Sequence, residues 1–157
     1  MKPLRLALLG LAVALSGVLP TLARAAAPPP VVVLQTGFVP EAPPGVRVMA
    51  GFLTLKNPGR QAVWLTGATS PDFKRVEMHA TRQAKGVADM IEVPRLEIPA
   101  GGRAVFAQGG NHFMMFDPRH PVTQGQTVSL ILRFADGRTQ TVKLPVRDGR
   151  QIYHQHH

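Results

Sequence analysis

Turn-forming residues recur so often along this chain that no long helix fits between them. Pro43-Pro44-Gly45, Asn57-Pro58-Gly59, Ser70-Pro71-Asp72, Gly86 and Asp136-Gly137 punctuate the sequence. The pieces left between such breaks are short and rich in Val, Ile, Leu, Thr and Phe. They are Val46 to Leu55, Gln61 to Thr66, Arg75 to Thr81, Val87 to Val93, Leu96 to Ile98, Arg103 to Phe106, His112 to Phe116, Thr127 to Phe134 and Thr139 to Val146. None sustains helical periodicity beyond a turn or two. Short apolar runs spaced about ten residues apart, with turn chemistry between them, predict an all-β chain folded as a β-sandwich or Greek-key barrel. Asp136-Gly137 is a hairpin signal joining the last two runs. No internal repeat appears, and 157 residues leave room for one domain.

The N-terminus reads as a secretory signal peptide over residues 1–25. Lys2 and Arg5 precede the apolar run Leu6 to Leu19, and Ala23-Arg24-Ala25 supplies a small-x-small cleavage site. The run is short and rich in small residues for a membrane span, and an uncleaved N-terminal anchor stands as the lesser alternative. A periplasmic protein, with no stable membrane insertion after cleavage, is the expected product. Residues 26–44 form a proline-rich linker leading into a first strand around Val31 to Leu34. The main domain is expected over 45–147, and residues 148–157 form a flexible tail ending Tyr153-His154-Gln155-His156-His157.

Composition narrows the chemistry. The chain carries 18 Lys+Arg against 9 Asp+Glu. Lys2, Arg5 and Arg24 lie in the signal, so the remainder carries 15 against 9, or +6. These charges are scattered, without the clustering of a nucleic-acid footprint, and serve solubility. There is no cysteine, so no disulfide framework supports the fold. Neither a nucleophile elbow nor a pair of catalytic carboxylates is recognisable, and no enzyme activity is expected.

Two histidines and two methionines stand out at His79, Met90, His112 and Met114. Residues two apart on a strand share a face. His112 and Met114 therefore reach one ion from one strand while Phe113 and Met115 face the core. Glu77 and His79 share a face in the same way, with Met78 on the other. Met90 arrives from a neighbouring strand or turn after the Gly86 loop. Neutral imidazole and thioether donors favour Cu(I) over Zn(II), Mn(II) or Mg(II). Zinc sites draw instead on thiolates, further histidines or carboxylates. A blue-copper electron-transfer centre needs a cysteine thiolate and is excluded. Glu77 is either an acceptor that orients an imidazole or a surface carboxylate. His120, between Arg119 and Pro121, reads as a loop residue.

The spacing His79-x10-Met90-x21-His112-x-Met114 resembles the metal-binding signature of the periplasmic copper chaperone A (PCuAC) family. The flanking Val76-Glu77-Met78-His79, Ile98-Pro99-Ala100-Gly101-Gly102, Gly110-Asn111-His112-Phe113-Met114 and Gly125-Gln126-Thr127-Val128 are similar too. The likeness runs from about Val46 to Val146. Gln108-Gly109-Gly110-Asn111 departs from the Pro-Gly-Gly-aromatic stretch common in that family. The resemblance implies a cupredoxin-like β-fold, Cu(I) held by those four residues, and delivery to the CuA centre of cytochrome c oxidase subunit II, with a Sco-type copper protein as alternative partner. A monomer is expected.

A copper-buffering or resistance protein without a dedicated recipient would need the same site and stands as the alternative. In the tail, His154, His156 and His157 offer a cluster that suits Cu(II) or Zn(II). The tail is short and lacks methionine, which tilts the reading slightly toward solvated side chains.

Overall fold

The computed structural model describes residues 31–84 and 87–150. The signal peptide read at 1–25 and the tail histidines His154, His156 and His157 lie outside the described residues. Among the described residues, all ten elements are strands: β1 (Val33–Pro40), β2 (Val48–Lys56), β3 (Val63–Thr69), β4 (Phe73–Ala84), β5 (Val87–Glu92), β6 (Leu96–Ile98), β7 (Arg103–Phe106), β8 (Asn111–Pro118), β9 (Thr127–Phe134) and β10 (Thr139–Arg147). The expected all-β class is what forms.

Alternation explains why these segments are strands. Along β2, Met49, Gly51, Leu53 and Leu55 point inward, while Ala50, Phe52 and Thr54 lie half-buried on the other face. β9 buries Val128, Leu130, Leu132 and Phe134, and β10 buries Val142, Leu144 and Val146. A side-chain period of two leaves one face for the core and one for the surroundings.

The strands pair in the order β5-β4-β8-β7-β2-β1-β10-β9-β3-β6. The sheet folds over between β1 and β10, which pair in parallel at Val39↔Val146 and Pro40↔Arg147. The two halves close over one core drawn from both, with β3 against β4 and β6 against β7. β2 is long enough to serve two neighbours. Its first half pairs with β8 and its second with β7.

Two loops are fixed by specific chemistry. Asn57 is buried; its Nδ2 donates to the carbonyls of Gln61 (2.7 Å) and Ile98 (3.0 Å), and its Oδ1 accepts from Gly59 N–H (2.9 Å). The Asn57-Pro58-Gly59 turn is thereby tied to the end of β6. Pro99 to Gly102 forms a tight turn, closed by Gly102 N–H donating to Pro99 O (2.9 Å), with Gly101 in the left-handed region at φ 67°. Only glycine adopts that conformation without strain.

Candidate metal centre

Three adjacent strands, β5, β4 and β8, carry the histidine and methionine set. β4 and β8 are antiparallel in a register that sets His79 opposite His112 and Glu77 opposite Met114. β5 runs antiparallel to β4 on its other side, with Met90 opposite Thr81 and Glu92 opposite His79. Opposite residues share a face, and so do residues two apart. His79, His112, Met114 and Met90 therefore lie on one face, with Met90 one diagonal step from His79.

The opposite face is the core. Met78, Phe113 and Met115 are all buried there, as the alternation requires. Phe113 stacks on Phe106 with ring centroids 4.6 Å apart, which steadies β8 directly behind His112. Sequence position alone would not separate Met114, half-buried on the outer face, from Met115, fully buried in the core. The strand period does.

The histidines are held by different partners. His79 Nε2–H donates to Glu77 Oε2 (2.9 Å), because a carboxylate oxygen can only accept. Its other nitrogen, Nδ1, is buried and has no hydrogen-bond partner. His112 Nδ1–H donates to the Gly110 carbonyl (3.0 Å), which leaves Nε2 with the free lone pair. That same carbonyl accepts from Thr81 N–H (3.1 Å). The Gln108-Gly109-Gly110-Asn111 loop closes as a turn, with Gly110 N–H donating to Ala107 O (3.1 Å) and Gly109 at φ 76°.

Each ring thus offers one unprotonated nitrogen. The ring centroids are 6.1 Å apart and the planes inclined by 43°. An imidazole nitrogen lies about 1.1 Å from its ring centre and a metal–nitrogen bond is about 2.0 Å, so rings sharing one ion have centres at most about 6.2 Å apart. The pair meets that limit, and a tetrahedral angle would draw the centres in by about 1 Å. An orphaned buried nitrogen costs about 1–3 kcal/mol, which makes a ligand for His79 Nδ1 the natural compensation. Among the described residues no three His, Cys, Asp or Glu side chains group as a metal site. The side chains that share the face with the two imidazoles are the thioethers of Met90 and Met114.

Beside the cluster lies an open groove of ≈ 810 Å³. Met90, Thr81 and His112 form one wall; Val48, Ala50 and Phe52 of β2 form another. Met90 is 58% exposed, the most open of the four, whereas His112 is 7% exposed. His120 sits apart in the β8–β9 loop, donating from Nε2 to Asp72 Oδ1 (3.0 Å).

Two charged residues beside the set escape a reading of the sequence for donors. Arg75 pairs with Glu77 and its guanidinium lies over the Phe116 ring, 4.0 Å from the centroid. Glu92 stands across from His79. The first was open to discovery, since Arg75-x-Glu77-x-His79 has the strand period; the second depends on the β4–β5 register.

A cupredoxin-like β-sandwich bearing facing imidazoles and flanking thioethers on the outer face of one sheet is the class of domain these features define. Solved structures share the architecture. Apo-DR1885 from Deinococcus radiodurans superposes with a TM-score of 0.61 at 31% identity, covering 89% of this chain and 94% of that one. The CuI-DR1885 structure gives 0.61 at 34% identity, covering 76% and 79%. The copper-bound PCuAC domain from PmoF2, with TM-score 0.63, 18% identity and coverage of 76% and 94%, shares the fold. The chain belongs to the LpqE-like family, whose model, described as "Putative lipoprotein LpqE-like", matches residues 32–146. "Putative lipoprotein Lxx21020" of Leifsonia xyli subsp. xyli is 36% identical over 105 residues, 66% of this chain. The chain spans 63% of the length of that relative.

Proposed function

We propose that this protein carries Cu(I) as cargo, bound by His79, Met90, His112 and Met114, and hands it to a recipient with thiolate ligands. The observation that carries the reading is the register of β4 against β8, with His79 facing His112 and Met114 two residues further along the same face. Similarity to proteins solved with copper, CuI-DR1885 at 34% identity among them, supports it.

Four neutral donors leave the bound ion with a single positive charge. Soft thioethers hold Cu(I) in preference to harder divalent ions. They form weaker bonds than thiolates, so transfer to a cysteine-bearing site runs downhill without an energy source. Met90 is the donor most open to solvent and lies on the outermost strand of its half-sheet. Exchange with an incoming thiolate begins there, while the buried His112 is the last to let go. The CuA centre of cytochrome c oxidase subunit II, or a Sco-type protein upstream of it, fits as recipient, in an exported, periplasmic setting.

An anaerobic Cu(I) competition titration tests the site. The wild type is expected to take one tightly held Cu(I), and the double variant Met90→Ala, Met114→Ala to lose it. The result must be the same in chains lacking the last four residues. Unchanged binding in the double variant would assign the methionines to packing and remove the reading.

A further inference from the structure

We infer that Glu77, braced by Arg75, is a positioning residue that makes Nδ1 the metal-binding nitrogen of His79, in contrast to Nε2 of His112. The inference rests on the copper reading above. Three observations converge on it. Glu77 Oε2 occupies His79 Nε2–H at 2.9 Å, so that nitrogen carries the proton and cannot donate a lone pair. His79 Nδ1 is buried and is a side-chain nitrogen without any partner. Glu77 is itself held in place by Arg75, whose guanidinium rests on the Phe116 ring.

The consequence is an asymmetric pair of ligands. The Nδ1 nitrogen lies next to the ring carbon bearing Cβ, whereas Nε2 lies at the far side of the ring. His79 therefore binds the ion on a short arm close to β4, and His112 reaches toward it from β8 on a long one. His112 is set in its complementary tautomer by Nδ1–H donation to Gly110 O at 3.0 Å. Two histidines directly opposite on neighbouring strands, with Cα atoms about 4.5–5.5 Å apart, share one ion more easily with unequal arms than with two long ones. The guanidinium partner offsets the carboxylate charge. Glu77 can then orient the imidazole without becoming a hard anionic ligand that would favour a divalent ion.

The test uses the full chain labelled with ¹⁵N, its long-range ¹H–¹⁵N correlations recorded without and with Cu(I), in parallel with Cu(I) competition titrations. In the wild type, His79 is expected to show a protonated Nε2 before loading. On adding Cu(I), the large nitrogen shift should fall on Nδ1 of His79 and on Nε2 of His112. Glu77→Ala should lose this selectivity at His79 and weaken Cu(I) binding by about 10- to 100-fold. Glu77→Gln, whose amide oxygen still accepts from Nε2–H, should restore both to near wild type. A metal-induced shift on Nε2 of His79 in the wild type, or unaltered selectivity and affinity in Glu77→Ala, overturns the inference while the copper reading stands. A wild type that takes no Cu(I) overturns both.

Discussion

At the residue scale, adjacent side chains have opposite duties, and methionine shows this most plainly. Met115 is fully buried against the core, whereas Met114 is half-buried on the outer face opposite Glu77. Truncating a buried methionine to alanine removes transfer energy and opens a cavity, costing about 2–5 kcal/mol. Met115→Ala is therefore expected to lower the urea midpoint strongly while leaving Cu(I) affinity near wild type, and Met114→Ala to do the reverse. Equal stability losses in the two variants would mean that both are packing residues. Asn57 makes a second case. Its alanine variant leaves the Gln61 and Ile98 carbonyls and the Gly59 N–H without their partner. Unfolding of Asn57→Ala should show a loss of about 2–3 kcal/mol, and a loss under 1 kcal/mol would show that water replaces the side chain. The shared face of His112 and Met114 was legible in sequence from the strand period alone, whereas that of Met90 follows from the β4–β5 register. Of the groups that hold the imidazoles, Glu77 was legible as an acceptor, whereas the Gly110 carbonyl at His112 and the Phe116 ring under Arg75 were not. Arg75 shares a face with Glu77 two residues along β4, but meets Phe116 only through the β4–β8 register, where the two are opposite.

At the scale of elements, the sequence marks strand centres better than their ends. Leu96–Ile98, Arg103–Phe106 and Thr127–Phe134 coincide with the turn-bounded runs, since glycine, proline and aspartate close to both ends stop the ladder. β4 continues from Phe73 to Ala84, beyond the run Arg75 to Thr81, because β5 and β8 pair with it on both sides. That extension is tertiary in origin and has no local signal. The β8–β9 loop is secured by a different device. His120 Nδ1–H donates to the Pro121 carbonyl (3.1 Å) and Nε2–H to Asp72 Oδ1 (3.0 Å), and Asp72 Oδ2 accepts from Ser129 N–H (2.9 Å). With an acceptor at both nitrogens, the ring favours its proton, and its pKa is raised above the ordinary 6.5, chiefly by the Pro121 carbonyl and then by Asp72. A pKa raised in the folded state means that protonation favours folding. The contribution is complete below 6.5 and disappears as pH rises through the raised value. Since the imidazole is half-exposed, the effect is small. The wild type should exceed His120→Gln in stability at about pH 5.5 by more than at about pH 8.5, measured by urea unfolding. A difference that does not change with pH would show that the contact acts without its charge.

At the scale of the molecule, the face that carries His79, His112 and Met114 depends on a strand remote from it. The proline-rich segment before Val46 reads as a linker with a first strand near its middle, and its weak alternation explains why no more is visible. β1 mixes exposed, half-buried and buried residues and carries a register shift between Leu34 and Thr36, so neither a clean period of two nor a continuous apolar run appears. Its role comes from topology. β1 pairs antiparallel with β2 and parallel with β10, and is the seam along which the sheet turns over. Val39 within it and Val32 just before it are completely buried. Gln140 clasps the segment, accepting from Val32 N–H (3.0 Å) and donating to Val32 O (2.6 Å). Without β1, the β2 edge and the β10 edge are both unpaired, and exposed edges of that kind invite pairing between chains. Ala50 of β2 pairs with Met114 of β8, so the disturbance reaches that face through one strand. A chain beginning after Pro40 is therefore expected to lose dispersed amide resonances and cooperative unfolding together with Cu(I) binding. A chain beginning at Val31 should keep all three. If the shorter chain folded and bound Cu(I) as the longer one does, β2 and β8 would suffice to hold the histidines in register, and the seam would be an ornament of the sheet rather than its hinge.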